Sequence, residues 1–486
     1  MSHDPVKKGH TTKDREAFVG DNTSGYQDTF LPKTWRDLCG EPYPLNWYKK
    51  LFKKHHYTMS AKAIDYWNES RESQFWPTKK RKKYVDDKVR AIVHHAYKTV
   101  PYYKKLYDEH GVDINKIKTA DDLQKLPLID KSTLSLGVGE LSAEMPFPLD
   151  DRLYIKTSGS TGTRMSFTCD REQLDRRWGV WMRLFEWSGW QWNDKEFKFW
   201  FKYASTVKKP TVEAFDAFLS NRHFYEFNTL DDIELARFCE EIQSKEPYVI
   251  TGYWEAIEAI ARYAYKNKLS LDVPAILPST QVVSDTGRRI AEEALGSKIL
   301  DKYASAEFSG IGHQCERGDL YHIQSENVFL EILKDGKRVR NGLGEAIVTD
   351  LSNKSTPLIR YRVGDVLEAT EKTCSCPITL PVFKRPHGRT KNVIRTGRRL
   401  VTESQLAELE IQLWLEGICD RIKVKQHEDG GIEIEASQVK NMPLLKKKIS
   451  GLLGIKNPKI KSCKTIDHFR GKRHRGESKV RNPLNN

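Results

Sequence analysis

No apolar run in the 486-residue sequence approaches the roughly 20 residues that a membrane-spanning helix needs. The opening Met1-Ser2-His3-Asp4 also lacks the charged-then-apolar pattern of a secretory leader. The expectation is a chain with no membrane span in a cytoplasmic setting. Cysteine is scarce: eight residues without dense regular spacing exclude a disulfide-built scaffold and leave metal ligation as the cysteine chemistry to look for. No internal repeat or long low-complexity segment occurs, which argues against solenoids and propellers. The Gly-Lys-Ser/Thr ending of a Walker A loop is missing. Helix-turn-helix, zinc-finger and base-stacking signatures are missing as well, so nucleic acid is an unfavoured partner.

What is present suits a multidomain chain in water. Hydrophobic residues make up 38% of the chain, aromatics 10% and charged residues 30%, enough to bury a core, and the length exceeds what one core usually serves. The net charge of +15 is uneven, because residues 389–486 carry 22 Lys and Arg against 11 Asp and Glu. Such an excess favours anionic partners, whether nucleotide, coenzyme, acidic protein or nucleic acid; a merely solubilising surface is the alternative.

Residues 1–83 are polar, with scattered apolar positions, and read as an N-terminal extension with some helix. From Tyr84, the positions Val85, Val89, Ile92, Val93, Tyr97, Val100 and Tyr103 recur near a 3.6-residue period, and Pro101 breaks the pattern into two helices. Short strands at Arg152–Ile155, Asn327–Leu333 and Glu345–Leu351 mix with helical stretches such as Arg289–Leu295, which predicts an α/β body over 84–387. Beyond Pro386-His387-Gly388, the alternating runs Arg421–Gln426 and Gly431–Ala436 flank a turn at Glu428-Asp429-Gly430. A helix over Met442–Leu453 and a strand over Lys459–Lys464 complete a small α+β domain, 388–486. The aromatic series Trp178, Trp181, Phe185, Trp187, Trp190, Trp192, Phe197, Phe199 and Trp200 is read as core rather than as a substrate pocket.

Tyr154-Ile155-Lys156-Thr157-Ser158-Gly159-Ser160-Thr161-Gly162-Thr163-Arg164 runs from an apolar strand into a loop rich in hydroxyls and glycine. Glycine lets backbone amides approach phosphate closely, and Ser and Thr hydroxyls add donors. Taken alone, such a segment is more often an ordinary turn than a phosphate site. Tyr303-Ala304-Ser305-Ala306-Glu307, Ile359-Arg360-Tyr361-Arg362-Val363-Gly364-Asp365 and Gly388-Arg389-Thr390-Lys391 follow it in order.

With these four motifs the chain resembles the adenylate-forming superfamily of acyl-CoA synthetases and ligases. It is similar more narrowly to the branch of phenylacetate-CoA ligases and capsule-synthesis proteins, which Val100-Pro101-Tyr102-Tyr103 and Leu123-Gln124-Lys125-Leu126-Pro127-Leu128-Ile129-Asp130-Lys131 also match. The resemblance covers Tyr84 to the end. It implies a large α/β domain of mixed sheets and helices with a small mobile C-terminal α+β domain. It also implies ATP-dependent activation of a carboxylic acid as its acyl-adenylate, followed by transfer to a thiol such as coenzyme A. A carrier-protein or amine acceptor, or a noncatalytic descendant of the fold, are the alternatives.

Carried over by residue, the resemblance implies that Thr157, Ser158, Gly159, Ser160, Thr161 and Gly162 hold the ATP phosphates and that Glu307 ligates Mg2+. Tyr303, with Ala304 and Ser305, would lie against adenine; Ser284 and Asp285 occupy places near it. Asp365 would accept from the ribose hydroxyls and Arg389 would touch the same sugar. Where the family places Lys and Pro after the loop, this chain has Thr163-Arg164-Met165, so Arg164 stands as the cation. Lys391 falls at the family's hinge. A C-terminal lysine neutralises charge as the pentavalent phosphorus forms, and Gly476-Glu477-Ser478-Lys479-Val480-Arg481 makes Lys479 the candidate, with Lys472 second. Separately, Cys315, His322, Cys374 and Cys376 could form a structural tetrahedral zinc site, although the gap between Cys374 and Cys376 is tighter than usual; reduced structural cysteines, with His322 an ordinary core or surface residue, are the alternative. The acid itself is not legible: Gly252-Tyr253-Trp254 sits where the family lines its acyl pocket without naming the substrate.

Overall fold

The computed structural model describes residues 61–143, 153–157, 165–191, 194–201, 221–227, 230–466 and 475–480. The first two described helices, Ala61–Ser73 and Thr78–Thr99, are built into the body. In Thr78–Thr99 the buried positions Val85, Val89, Ile92, Val93 and Ala96 form one apolar stripe, and the helix stops at Val100 because Pro101 opens the next, Pro101–Glu109. Ala61–Ser73 crosses Arg171–Trp187 so closely that a Cβ on Gly179 would lie 2.7 Å from the Trp67 amide nitrogen. Charged anchors fix the crossing. Arg71 Nε donates to Glu186 at 2.6 Å, and the fully buried Arg183 donates to Glu326 at 2.8 Å and to the Ser70 carbonyl at 2.6 Å. The boundary expected at 83/84 therefore falls inside an unbroken helix, with the helix before it already packed on the body.

A five-stranded parallel sheet follows, in the order Arg222–Phe227, Glu196–Phe201, Val249–Tyr253, Ala275–Ser279, Lys298–Ile299. Among the described residues, Asp232–Lys245, Trp254–Lys266 and Asp285–Leu295 are helices between its strands. Phe197, Phe199, Phe238, Ile250, Trp254 and Ile257 form its core on one side. Trp181, Phe185, Trp187 and Trp190 gather with Val249 and Leu277 in a second cluster, so the described aromatics of that series are packing residues, as their spacing predicts.

Among the described residues, two larger antiparallel sheets and the strand pair Leu153–Thr157 and Met165–Cys169 complete the large body. One orders Lys337–Arg338, Val328–Lys334, Gly342–Asp350, Tyr361–Ala369 and Arg385–Arg389; the other orders Val382–Phe383, Tyr321–Ile323, Ser309–Gln314 and Lys302–Ser305. The C-terminal part has a separate apolar cluster centred on Leu406, Leu413, Ile434, Leu445 and Leu453. Its sheet is the antiparallel hairpin Arg421–Gln426 and Ile432–Ser437, flanked in parallel by Gly476–Ser478 and Ile460–Cys463. The helix Met442–Leu453 lies where its apolar spacing predicts it.

Candidate functional site

The strand pair Tyr361–Ala369 and Arg385–Arg389 sets Asp365 directly opposite Arg389. Arg389 Nε reaches Asp365 Oδ1 at 3.0 Å, and the Tyr303 hydroxyl donates to Asp365 Oδ2 at 2.9 Å. Burial, reinforced by the Asp365 carboxylate, pushes the Tyr303 hydroxyl well above its ordinary range and keeps it a donor. Asp365 in turn raises Arg389 further. Gly388, at φ +95°, lets this strand end pass against the helix Glu403–Leu415, since a Cβ there would lie 2.4 Å from Glu403 Cβ.

Glu307 stands in the turn after Lys302–Ser305, with the Tyr361 hydroxyl 3.5 Å from its Oε1. Arg177 donates to the backbone carbonyls of Ala306 and Glu307, fixing that turn from a helix no motif singled out. A half-exposed carboxylate is the kind of hard oxygen donor that Mg2+ takes, so Glu307 fits that ion. Ala304 is exposed beside Tyr303, and Ser305 accepts from the Phe308 amide within the turn.

The two motifs of the narrower resemblance converge behind this group. Ile129 pairs with Tyr361 as a parallel bridge, Arg362 N donates to the Ile129 carbonyl at 2.8 Å, and Arg360 donates to the Leu126 carbonyl at 2.6 Å and to Glu331. The buried Tyr103 hydroxyl donates to the Pro357 carbonyl and accepts from the Ile359 amide. These residues aim the strand that carries Asp365.

Ser284 and Asp285 have partners within the protein. Ser284 Oγ accepts from Gly287 N at 3.0 Å as the N-cap of Asp285–Leu295, and Asp285 holds Arg385 at 2.9 Å. They join the site through Arg385, which shares the strand of Arg389. Lys391 lies in the turn Thr390–Asn392 between Arg385–Arg389 and Ile394–Thr396, and burial, then Arg389 and Lys131, lowers its pKa. Lys479 is exposed just beyond the strand Gly476–Ser478, and its amide donates to the Gln426 carbonyl at 3.0 Å. Ser158, Gly159, Ser160, Thr161, Gly162, Arg164 and Lys472 lie outside the described residues. Thr157 ends a strand paired antiparallel with Met165–Cys169, Thr157 opposite Met165.

The cysteine and histidine prediction converges in space. The donor atoms of Cys315, His322, Cys374 and Cys376 all lie within 4.8 Å of one another. The Cys315 and Cys374 sulfurs are 3.7 Å apart, and Cys376 Sγ is 3.4 Å from His322 Nε2. A tetrahedral zinc with Zn–S near 2.3 Å and Zn–N near 2.0 Å sets such edges at about 3.8 and 3.5 Å, so the donors fit the ion; a disulfide would need about 2.05 Å. The narrow Cys374-Ser375-Cys376 spacing does not prevent convergence.

In solved structures, 2-hydroxyisobutyryl-CoA ligase in the postadenylation state, in complex with 2-HIB-AMP, matches at a TM-score of 0.69 over 84% of this chain and 91% of that one, at 17% identity. The fold is that of the adenylate-forming ligases. The same ligase in an open conformation with 2-HIB-AMP and CoA matches at 0.56. By sequence the chain is 24% identical to the phenylacetate-coenzyme A ligase of Pseudomonas putida over 431 residues, 79% of this chain and 91% of that protein. It is 24% identical to Protein CapK of Staphylococcus aureus over 288 residues, 56% of this chain, and there it spans 59% of the relative's length. No protein-family model matches the chain.

Proposed function

We propose that this protein is an AMP-forming acid–thiol ligase, activating a carboxylic acid with ATP and passing the acyl group to coenzyme A. The observation that carries the reading is the Tyr303–Asp365–Arg389 cluster beside Glu307, assembled from separate motifs on the ligase fold. Asp365 accepts from the ribose hydroxyls, Arg389 holds Asp365 in place, and Glu307 would hold a Mg2+, which would supply positive charge to offset that of the phosphates. The segment Thr157 to Gly162, with Arg164, cradles those phosphates, Thr161 among the catalytic contacts. In the first step a carboxylate oxygen of the acid attacks the α-phosphorus and pyrophosphate leaves, while Lys479 neutralises the developing charge. In the second, the thiolate attacks the acyl carbon and AMP leaves.

A hinge at Lys391 would let residues 388–486 present different faces for the two steps. The separate apolar cluster after Ile394 supports that division, and so do the polar contacts across the junction: Arg421 with Glu255 at 2.8 Å and Arg262 with Asp420 at 2.6 Å. The Cys315, His322, Cys374 and Cys376 set is a structural zinc site; four protein donors leave no open position for chemistry. The free thiols among the described residues suit a reducing, cytoplasmic compartment. Among those residues, no helix is long and apolar enough to cross a membrane.

Acid-dependent exchange between ATP and labelled pyrophosphate, run across aryl-acetic, aromatic, fatty and amino acids, tests the first step. One or more acids should drive exchange; none doing so would leave a noncatalytic nucleotide binder. Offering coenzyme A, a carrier thiol and an amine in parallel identifies the acceptor.

A further inference from the structure

Arg475 opens the described segment 475–480 and is interior, with 2% of its surface exposed. Its guanidinium donates to Glu410 through Nε at 3.0 Å and to Glu258 through Nη2 at 3.3 Å, with Glu403 4.0 Å from Nη1. Glu403 holds the backbone as well: the amides of Arg475 and Gly476 donate to its two oxygens at 2.6 and 3.1 Å. Three buried carboxylates thus converge on one buried guanidinium, and such charges are costly to bury unless the pairing is fixed. Glu403 and Glu410 belong to Glu403–Leu415, in the C-terminal unit. Glu258 belongs to Trp254–Lys266, the helix that follows the parallel strand Val249–Tyr253.

The short strand beyond Arg475 is held just as tightly. A Cβ on Gly476 would lie 2.4 Å from the Asn392 carbonyl oxygen, so the strand presses on the hinge turn. Ser478 Oγ donates to Gln426 Oε1 at 3.2 Å, and Lys479 N donates to the Gln426 carbonyl at 3.0 Å. From Arg475 to Lys479 the chain is pinned at its start by carboxylates and at its end by Gln426. The side chains of Glu477 and Lys479 are the ones exposed to solvent in this stretch.

We infer that Arg475 is a positioning residue for Lys479, and that its contact with Glu258 makes the placement of that lysine depend on docking of the C-terminal unit against Trp254–Lys266. The inference rests on the reading of Lys479 as the adenylation lysine. Arg475 touches no substrate. When the unit reorients for the thiol step, Glu403 and Glu410 travel with Arg475 while Glu258 stays behind. The Arg475–Glu258 contact then belongs to the adenylation arrangement alone.

The test uses the full chain as wild type, Arg475→Met, Glu258→Gln and Lys479→Ala, with the two half-reactions assayed apart. One assay is acid-dependent ATP–pyrophosphate exchange; the other is coenzyme A-dependent consumption of the synthetic acyl-adenylate of the best acid. Arg475→Met should lose about 100-fold in the rate of exchange, the scale of a misplacement near 1 Å, and Glu258→Gln about tenfold. Both should consume acyl-adenylate at the wild-type rate. Equal loss in both half-reactions, or full exchange in Glu258→Gln, overturns the inference. Should Arg475→Met fail to fold, Glu258→Gln decides, because the pairs within the C-terminal unit remain. Exchange retained by Lys479→Ala overturns the assignment of the lysine and the inference with it, whereas exchange lost in Lys479→Ala but kept in the other two overturns the inference alone.

Discussion

Asp365 takes the Tyr303 hydroxyl on one oxygen and Arg389 on the other, so its carboxylate organises groups from three separate strands. Removing it leaves a buried tyrosine hydroxyl and a guanidinium without their shared acceptor. Asp365→Ala should raise the KM for ATP by about 10- to 100-fold, the cost of losing charge-assisted hydrogen bonds, as read from exchange rates over a range of ATP. An unchanged KM would remove Asp365 from the nucleotide site. A second carboxyl gives a pH signature. Burial pushes Asp301 up to about 6, above its ordinary 3.8, against the hydrogen bond it accepts from Tyr321. A carboxyl raised in this way holds its proton to a higher pH in the folded state than in the unfolded chain. Its contribution to stability is full below about 3.8 and is lost as the pH rises through about 6. The stability of wild type relative to Asp301→Asn, from urea unfolding, should therefore decline between about pH 4 and pH 6, and a flat difference would contradict the assignment.

At the scale of elements, the Cys374–Cys376 loop and the strand Tyr321–Ile323 are tied through the four-donor cluster. Metal analysis of the purified chain should find about one zinc per molecule, and Cys376→Ser should lower both that content and the melting temperature. Zinc-free protein with an unaltered melting temperature would make the cluster a set of reduced thiols. Elements with a one-sided pattern were legible in the sequence: the helix stripe from Val85, the break at Pro101, the hairpin around Asp429 and the helix Met442–Leu453. The parallel sheet was not. A strand such as Val249–Tyr253, buried at every position, carries no alternation to read. The site divides in the same way. Tyr303, Glu307, Asp365 and Arg389 were legible because their motifs keep a recognisable order. The residues that hold them were not, since the Tyr103 contact with Ile359 spans 256 residues and leaves no local signal.

Over the whole molecule, apolar clusters sit within the large body and within the C-terminal unit, while charged groups mark the junction between them. Such a polar junction can part and re-form without exposing a core, as a reaction in two steps on one acyl group requires. The lysine on the smaller unit should then matter for one step only. Lys479→Ala should lower acid-dependent exchange by about 100- to 1,000-fold, the scale seen when one oxyanion-stabilising donor is removed, and should leave consumption of preformed acyl-adenylate intact. Loss of exchange in Lys472→Ala but not in Lys479→Ala would reassign the role. The most direct measurement identifies the products formed from ATP, a competent acid and coenzyme A. AMP, pyrophosphate and acyl-coenzyme A in equal amounts are predicted, and ADP with inorganic phosphate, or no nucleotide turnover with any acid, would contradict adenylate formation.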